Sequence, residues 1–313
     1  MHRLLELPDA ALVLPAHGAG SACGKALSEE TVSTIGAQRA SNYALQPMAE
    51  DEFVALVTED QPAAPAYFIH AATENRKERA LLHDDEALPA LSLAQVDTAV
   101  AAGAALVDVR PVEDFAGGHL AGSLSVPLGG RFAEQVGSVV AVGAPVVLIG
   151  TEAGVDEGRI RLARIGYDDI PGALLDVERV LADQPERAGR LSRLPAADVA
   201  ERQGALGDRL QFVDVRNPGE VHAAPVEGAT NIPLAQLRGR IAELDPAEPI
   251  LLVCAGGARS AIASSLLRAN GFADVSDVLG GSAALGITEA CATSIPAPAG
   301  GAPDGDDATT DLA

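Results

Sequence analysis

Asp214-Val-Arg-Asn-Pro-Gly-Glu-Val-His-Ala-Ala-Pro-Val-Glu-Gly-Ala-Thr-Asn-Ile-Pro-Leu234 lies over Asp108-Val-Arg-Pro-Val-Glu-Asp-Phe-Ala-Gly-Gly-His-Leu-Ala-Gly-Ser-Leu-Ser-Val-Pro-Leu128 without a gap. Both stretches open on Asp-Val-Arg after an apolar run, pass through a polar loop to Gly122 or Gly228, and close on Pro-Leu. Each leads on to a proline and a second apolar run, Pro145-Val-Val-Leu-Ile149 or Pro249-Ile-Leu-Leu-Val253. Continuous apolar runs alternating with helical segments predict an α/β fold with parallel sheets covered on both faces. Two related domains are expected, over residues 88–188 and 190–290. Upstream of each Asp-Val-Arg, Leu91–Val96 with Ser92 as cap and Leu194–Val199 with Pro195 in its first turn read as equivalent helical openings.

The repeats part company after the second apolar run. There the second copy has Cys254-Ala-Gly-Gly-Ala-Arg259-Ser260, and the first has Gly150. Ile250–Val253 reads as a buried strand and Ala261–Arg268 as the helix that follows, so Cys254 stands at the mouth of a helix. Converging N–H groups and the positive end of a helix dipole stabilise a thiolate in such a place, which makes Cys254 a nucleophile. Gly256 and Gly257 let the loop curl so that successive N–H groups of Ala255 to Ala258 face the sulfur as an anion-binding nest. Arg259 adds a fixed positive charge for an anionic donor, or else ties the loop down in a salt bridge. Asp214 and Arg216, at the end of the neighbouring strand, are expected to pair with each other or with loop backbone and hold the pocket's shape.

The 313 residues, 48% hydrophobic and 21% charged, suffice for two or three domains with sizeable cores. A net charge of -22 repels phosphate backbones and anionic membrane surfaces, so neither nucleic acid nor membrane is expected as a partner. Three cysteines, at 23, 254 and 291, make no disulfide framework and suit a reducing compartment. The first residues contain Glu6 and Pro8 too early for a signal-peptide apolar core. A cytoplasmic location is expected. Residues 291–313 have the Pro/Gly/Asp composition of a disordered tail, and residues 1–80 match neither repeat.

On these residues the second copy resembles a rhodanese domain: Asp214-Val-Arg216, Asn231-Ile-Pro-Leu234, the Cys254 to Arg259-Ser260 loop and Gly280-Gly281 follow in family order. The first copy resembles a second rhodanese domain through Asp108-Val-Arg110, Gly118-His119-Leu120 and Val126-Pro127-Leu128, without the cysteine. The resemblance implies a persulfide on Cys254, with Arg259 beside it and Ala255, Gly256, Gly257, Ala258, Ser260, Asp214 and Arg216 around the substrate. Related cysteine phosphatases have a loop one residue longer, so sulfur transfer is favoured over phosphate chemistry. One departure is Ala224-Pro225-Val226, where the family usually has Gly-His-Ile.

Pro15-Ala-His17-Gly-Ala-Gly-Ser-Ala-Cys23-Gly-Lys25, with Ser33-Thr-Ile-Gly36, is similar to the last portion of a metallo-β-lactamase fold, as in persulfide dioxygenases fused to rhodanese domains. That resemblance implies iron in the full-length family, but none of the six histidines forms a His-x-His pair. No cofactor is expected in this chain, and His17 would be a metal residue only if a longer chain completed the site. Cys23 reads as a secondary thiol or as a small residue in a Gly-rich loop. The expected function is a sulfurtransferase that moves sulfane sulfur from thiosulfate or a low-molecular-weight persulfide through Cys254 to a thiol or cyanide. The alternative is a non-catalytic sulfur-carrier or interaction module of a persulfide dioxygenase system. Sequence sets no oligomeric state.

Overall fold

The computed structural model describes residues 2–15, 31–58, 67–78 and 87–287. The first repeat contributes β1 (Ala105–Asp108), β2 (Leu124–Ser125), β3 (Val146–Ile149) and β4 (Gly172–Leu174), in a parallel sheet of order β2-β1-β3-β4. The second contributes β5 (Ser192–Leu194), β6 (Gln211–Asp214), β7 (Thr230–Asn231), β8 (Ile250–Val253) and β9 (Val275–Val278), parallel throughout in the order β7-β6-β8-β9-β5. A parallel bridge sets Ala90 beside Ala173 of β4, in the place that β5 takes beside β9. Strand for strand, the two sheets have the same order.

Register carries the comparison to single residues. Asp108 lies opposite Ile149, and Asp214 opposite Val253. Gly150 and Cys254, one residue beyond, therefore occupy the same position in the two sheets. Every residue of β3 and of β8 is buried, as expected of central strands covered on both faces.

Five helices fix the surroundings of these strand ends: α1 (Leu93–Ala101), α2 (Val112–Gly117), α3 (Glu152–Ala163), α4 (Pro218–Ala223) and α5 (Ala258–Ala269). Ser92 and Gln95 form a reciprocal capping box at the start of α1. The second opening is built differently, because a 3-10 turn over Ala196–Asp198 separates Pro195 from the helix Val199–Leu206. Pro195 makes no side-chain cap, and the chain tightens before it enters the helix.

The repeats share one core. Val107, Phe132 and Leu148 of the first belong to the same buried cluster as Val213, Leu252 and Ile262 of the second. The helix Phe132–Val139 packs against Leu234–Arg240, and α5 packs against β2 of the opposite repeat. There the Ser125 N–H donates to Ser265 Oγ at 3.0 Å, which gives a buried backbone donor its partner. The helix that follows Cys254 is thus held from both sides.

Ahead of the repeats, Leu12–Val13 pairs antiparallel with Ser33–Thr34, and Thr34 caps the helix Ile35–Ser41. The helix Tyr67–Glu74 docks on the first repeat. Its Tyr67 ring fills the space over Gly137, where a Cβ would stand 2.2 Å from Tyr67 Cδ1. His70 Nε2 lies 3.0 Å from the Gly166 carbonyl. Among the described residues no helix is long and apolar enough to cross a membrane. His17, Cys23 and the tail 291–313 lie outside the described residues.

Candidate active site

Cys254 follows β8 directly and is 1% exposed. Its Sγ accepts the Gly257 N–H at 3.1 Å and lies 3.5 Å from Ser260 Oγ. One backbone N–H and one hydroxyl thus meet the sulfur, where the sequence suggested a fuller ring of amides. The two glycines divide the work. Gly257 is left-handed, with φ of 91°, while Gly256 has no such requirement and lies exposed at the mouth of the loop. The left-handed turn also starts α5 at Ala258, three residues earlier than the sequence suggested, so Arg259 and Ser260 lie in its first turn.

The loop is pinned from behind by Gly280-Gly281. Ser282 N–H donates to the Cys254 carbonyl at 2.7 Å and Ala283 N–H to that of Ala255 at 3.1 Å. A Cβ on Gly281, whose φ is +63°, would meet the Cys254 carbonyl oxygen at 2.3 Å. Glycine at this position is what permits the approach.

Arg259 takes the salt-bridge role. It makes a two-pronged pair with Glu220 of α4, at 2.7 and 2.6 Å. Burial pushes the Glu220 carboxyl up, but the hydrogen bonds and charge of Arg259 outweigh this and hold it below its usual range. The pair ties the first turn of α5 to α4, and leaves the guanidinium near Cys254 with its charge already matched.

Asp214 and Arg216 are both buried and bind each other, with Arg216 Nη2 donating to Asp214 Oδ2 at 2.6 Å. Arg216 also donates to the Ala224 carbonyl at 2.8 Å. Asn231 Nδ2 closes the corner on the carbonyls of Asp214 and Arg216. These side chains set the shape of the strand ends.

Asp277 and Arg193 belong to the site although the sequence reading passed them over. Ser260 Oγ, which faces the sulfur, donates to Asp277 Oδ2 at 3.3 Å. Arg193 binds the same carboxylate at 3.1 Å and donates to the Gly257 carbonyl at 3.2 Å. Burial raises the Asp277 pKa, and Arg193 offsets part of that rise. A lone acid inside the apolar strand Val275–Val278 was the available signal, because a buried carboxylate needs a partner. Its partner became identifiable only from the register, which sets Asp277 beside Arg193.

The first repeat keeps the frame and loses the loop. Arg110 binds Asp108 and donates to the Gly118 carbonyl, eight residues on, as Arg216 does to Ala224. Only Gly150 and Thr151 separate β3 from α3, whereas Cys254 to Gly257 separate β8 from α5. Thr151 caps α3 by accepting the Gly154 N–H, leaving no room for a nest. His119 is buried, stacks on Phe115 at 3.8 Å and sets its Nδ1 2.9 Å from the Phe115 carbonyl. Its ring packs the turn.

No group of three or more His, Cys, Asp or Glu suited to a metal ion occurs among the described residues. His17, on which the iron implied by the amino-terminal resemblance would rest, lies outside those residues.

A parallel sheet with a thiol loop between its central strand and the next helix, backed by a buried Asp-x-Arg corner, defines the class. Residues 196–286 match the family of the rhodanese-like domain, and this segment is a rhodanese-like domain. The chain resembles YqhL, an uncharacterised protein of Bacillus subtilis strain 168, at 38% identity over 73 residues, 23% of this chain and 58% of that protein. It also resembles YrkF of the same organism, provisionally described as a sulfur carrier protein, at 32% identity over 74 residues, 24% of this chain and 40% of that protein. The matches thus span 58% and 40% of these two curated relatives. Among solved structures, a metallo-beta-lactamase from Staphylococcus aureus subsp. aureus COL is similar over 56% of this chain and 47% of its own. The identity is 31% and the TM-score 0.47.

Proposed function

We propose that the chain is a sulfurtransferase that takes sulfane sulfur from thiosulfate or a low-molecular-weight persulfide onto Cys254 and passes it to a thiol or cyanide. The supporting observation is the placement of Cys254 Sγ against the Gly257 N–H and Ser260 Oγ at the start of α5. With thiosulfate, the Cys254 thiolate attacks the outer sulfur, the S–S bond breaks and sulfite leaves with its electron pair. The outer sulfur stays on Cys254 as a persulfide anion. Cyanide then attacks that sulfur, leaves as thiocyanate and restores the thiolate. The Gly257 N–H stabilises anionic sulfur on Cys254 before and after transfer, and the Ser260 hydroxyl adds to this once its proton turns from Asp277 to the thiolate.

In this reading residues 190–290 form the working unit and residues 88–188 a related unit without the thiol. The matching strand order and Asp-x-Arg corner support that relation. Residues 1–80 are read as the end of a metallo-β-lactamase-like segment, and no oxidation step is assigned to them. A cytoplasmic location belongs to the same proposal. The burial of Cys254 favours a second reading, a carrier that loads one sulfur and hands it to a docked partner, and YrkF carries a carrier description. Turnover separates the two. Thiocyanate formed from thiosulfate and cyanide in many-fold excess over protein supports the enzyme. Formation that stops at one equivalent supports the carrier, and none at all from a sulfur-loaded chain overturns both.

A further inference from the structure

The thiol-free repeat contains a cavity of about 540 Å³ where the second repeat has its reactive loop. It lies at the carboxyl ends of β1 and β3, where open α/β sheets hold their ligands. Val109, Pro111, Val112, Pro127 and Leu128 give it apolar walls, with the Thr151 hydroxyl among them. Its volume suits a small organic molecule. The cation in its wall is already matched: Arg110 is bound by Asp108 at 2.7 Å, by Glu178 at 2.7 Å and by the Gly118 carbonyl. The Glu113 carboxylate stands at the rim, 77% exposed. Such a cavity gives an inorganic dianion no free positive partner.

The opposite repeat borders this cavity. Ala258, one residue beyond the Gly257 whose N–H holds the sulfur, forms part of its wall. Arg193 reaches Glu113 at 3.8 Å with one arm and the Gly257 carbonyl at 3.2 Å with another. Phe115 and Val112 of α2 pack with Ala261 of α5. Cavity and thiol loop are therefore neighbours across the repeat boundary.

We propose that this cavity seats the carbon body of a small organic thiol, an uncharged amide-bearing chain of the pantetheine type, with its sulfur directed across Ala258 to the Cys254 loop. The proposal rests on the sulfurtransferase reading above and names where the organic donor sits. In the step it serves, the Cys254 thiolate attacks the outer sulfur of R–S–S–H, the S–S bond breaks, and R–S⁻ leaves with the electron pair. The outer sulfur and its proton remain on Cys254. The apolar walls take the methylene and methyl groups of the chain, and Thr151 donates to an amide carbonyl.

Gly129 provides the test. It lines the cavity, a Cβ there meets nothing within 4 Å, and its φ is not left-handed, so Gly129→Phe fills the space without straining the backbone. Loading of Cys254 is followed with pantetheine persulfide and with thiosulfate. The half-saturating concentration of pantetheine persulfide is expected to rise at least tenfold in Gly129→Phe, while thiosulfate loads at the parent rate. An equal effect on both donors, or on neither, overturns the proposal. Calorimetric titration of pantetheine into Cys254→Ser reads the cavity without chemistry, and binding is expected there and lost on adding Gly129→Phe. If neither donor loads the parent chain but pantetheine still binds, the sulfurtransferase reading fails and the cavity stands. If pantetheine does not bind, the cavity proposal fails whatever the thiol does.

Discussion

Replacing Gly281 by alanine tests the packing that shapes the thiol loop. The left-handed backbone at φ +63° costs an alanine about 1–2 kcal/mol. The added Cβ would lie 2.3 Å from the Cys254 carbonyl oxygen and 2.6 Å from that of Ala255, and neither backbone atom can swing aside as a side-chain tip can. Relieving such an overlap costs a further ~1–3 kcal/mol by analogy with overpacked cores. The total is about 2–5 kcal/mol, a large share of the roughly 5–15 kcal/mol that holds a typical domain. Movement of the loop would also lengthen the bonds from Ser282 and Ala283 N–H to the same carbonyls. Thermal unfolding followed by circular dichroism should show a midpoint lower by about 6–12 °C for a loss near 3 kcal/mol. Sulfur loading of Cys254, measured well below that midpoint, should fall at least tenfold. A Gly281→Ala chain that melts within a degree of the parent and loads sulfur at the parent rate refutes the geometry described for this loop.

Three further outcomes are expected. Ser260→Ala removes the hydroxyl that lies beside the sulfur and donates to buried Asp277, bonds worth about 1 kcal/mol each, and should slow loading roughly fivefold and lower the melting midpoint. Gly150→Cys should not create a second sulfur site, because its Cβ would stand 2.8 Å from Val109 Cγ2 and α3 begins after Thr151; thiol titration and mass spectrometry should find a destabilised chain with sulfur on Cys254 alone. Glu220→Gln breaks the pair with Arg259. Because the folded Glu220 pKa is lowered, the pair's contribution is fully present above the unfolded value of about 4.3 and is lost as pH falls through the lower folded value. Denaturant titrations should therefore separate parent and Glu220→Gln at pH 7 by up to about 1 kcal/mol, both groups being about a quarter exposed, and should converge in strong acid.

Much of the architecture was readable from two coincidences in the chain. The ungapped overlay of Asp108–Leu128 on Asp214–Leu234 needs one strand-loop-strand unit used twice, and the two sheets share a strand order. The apolar run into Cys254 placed the thiol between strand and helix, where it lies. What the sequence left open depended on distance. Arg259 and Glu220 are 39 residues apart, and Arg193 and Asp277 are 84 apart, so no local pattern joins them. The start of α5 lay earlier than expected because a glycine pair looks like loop, whereas the chain turns at left-handed Gly257 and enters the helix at the next residue. The near-duplicate openings diverged over one local difference, a serine able to cap against a proline unable to.

The most direct measurement is intact-protein mass spectrometry after exposure to thiosulfate or pantetheine persulfide, with peptide mapping, on the parent chain and on Cys254→Ser. The account predicts one added sulfur atom on the parent, mapped to Cys254, released by cyanide, and absent from Cys254→Ser. A parent chain that gains no sulfur, or a Cys254→Ser chain that gains as much, contradicts it.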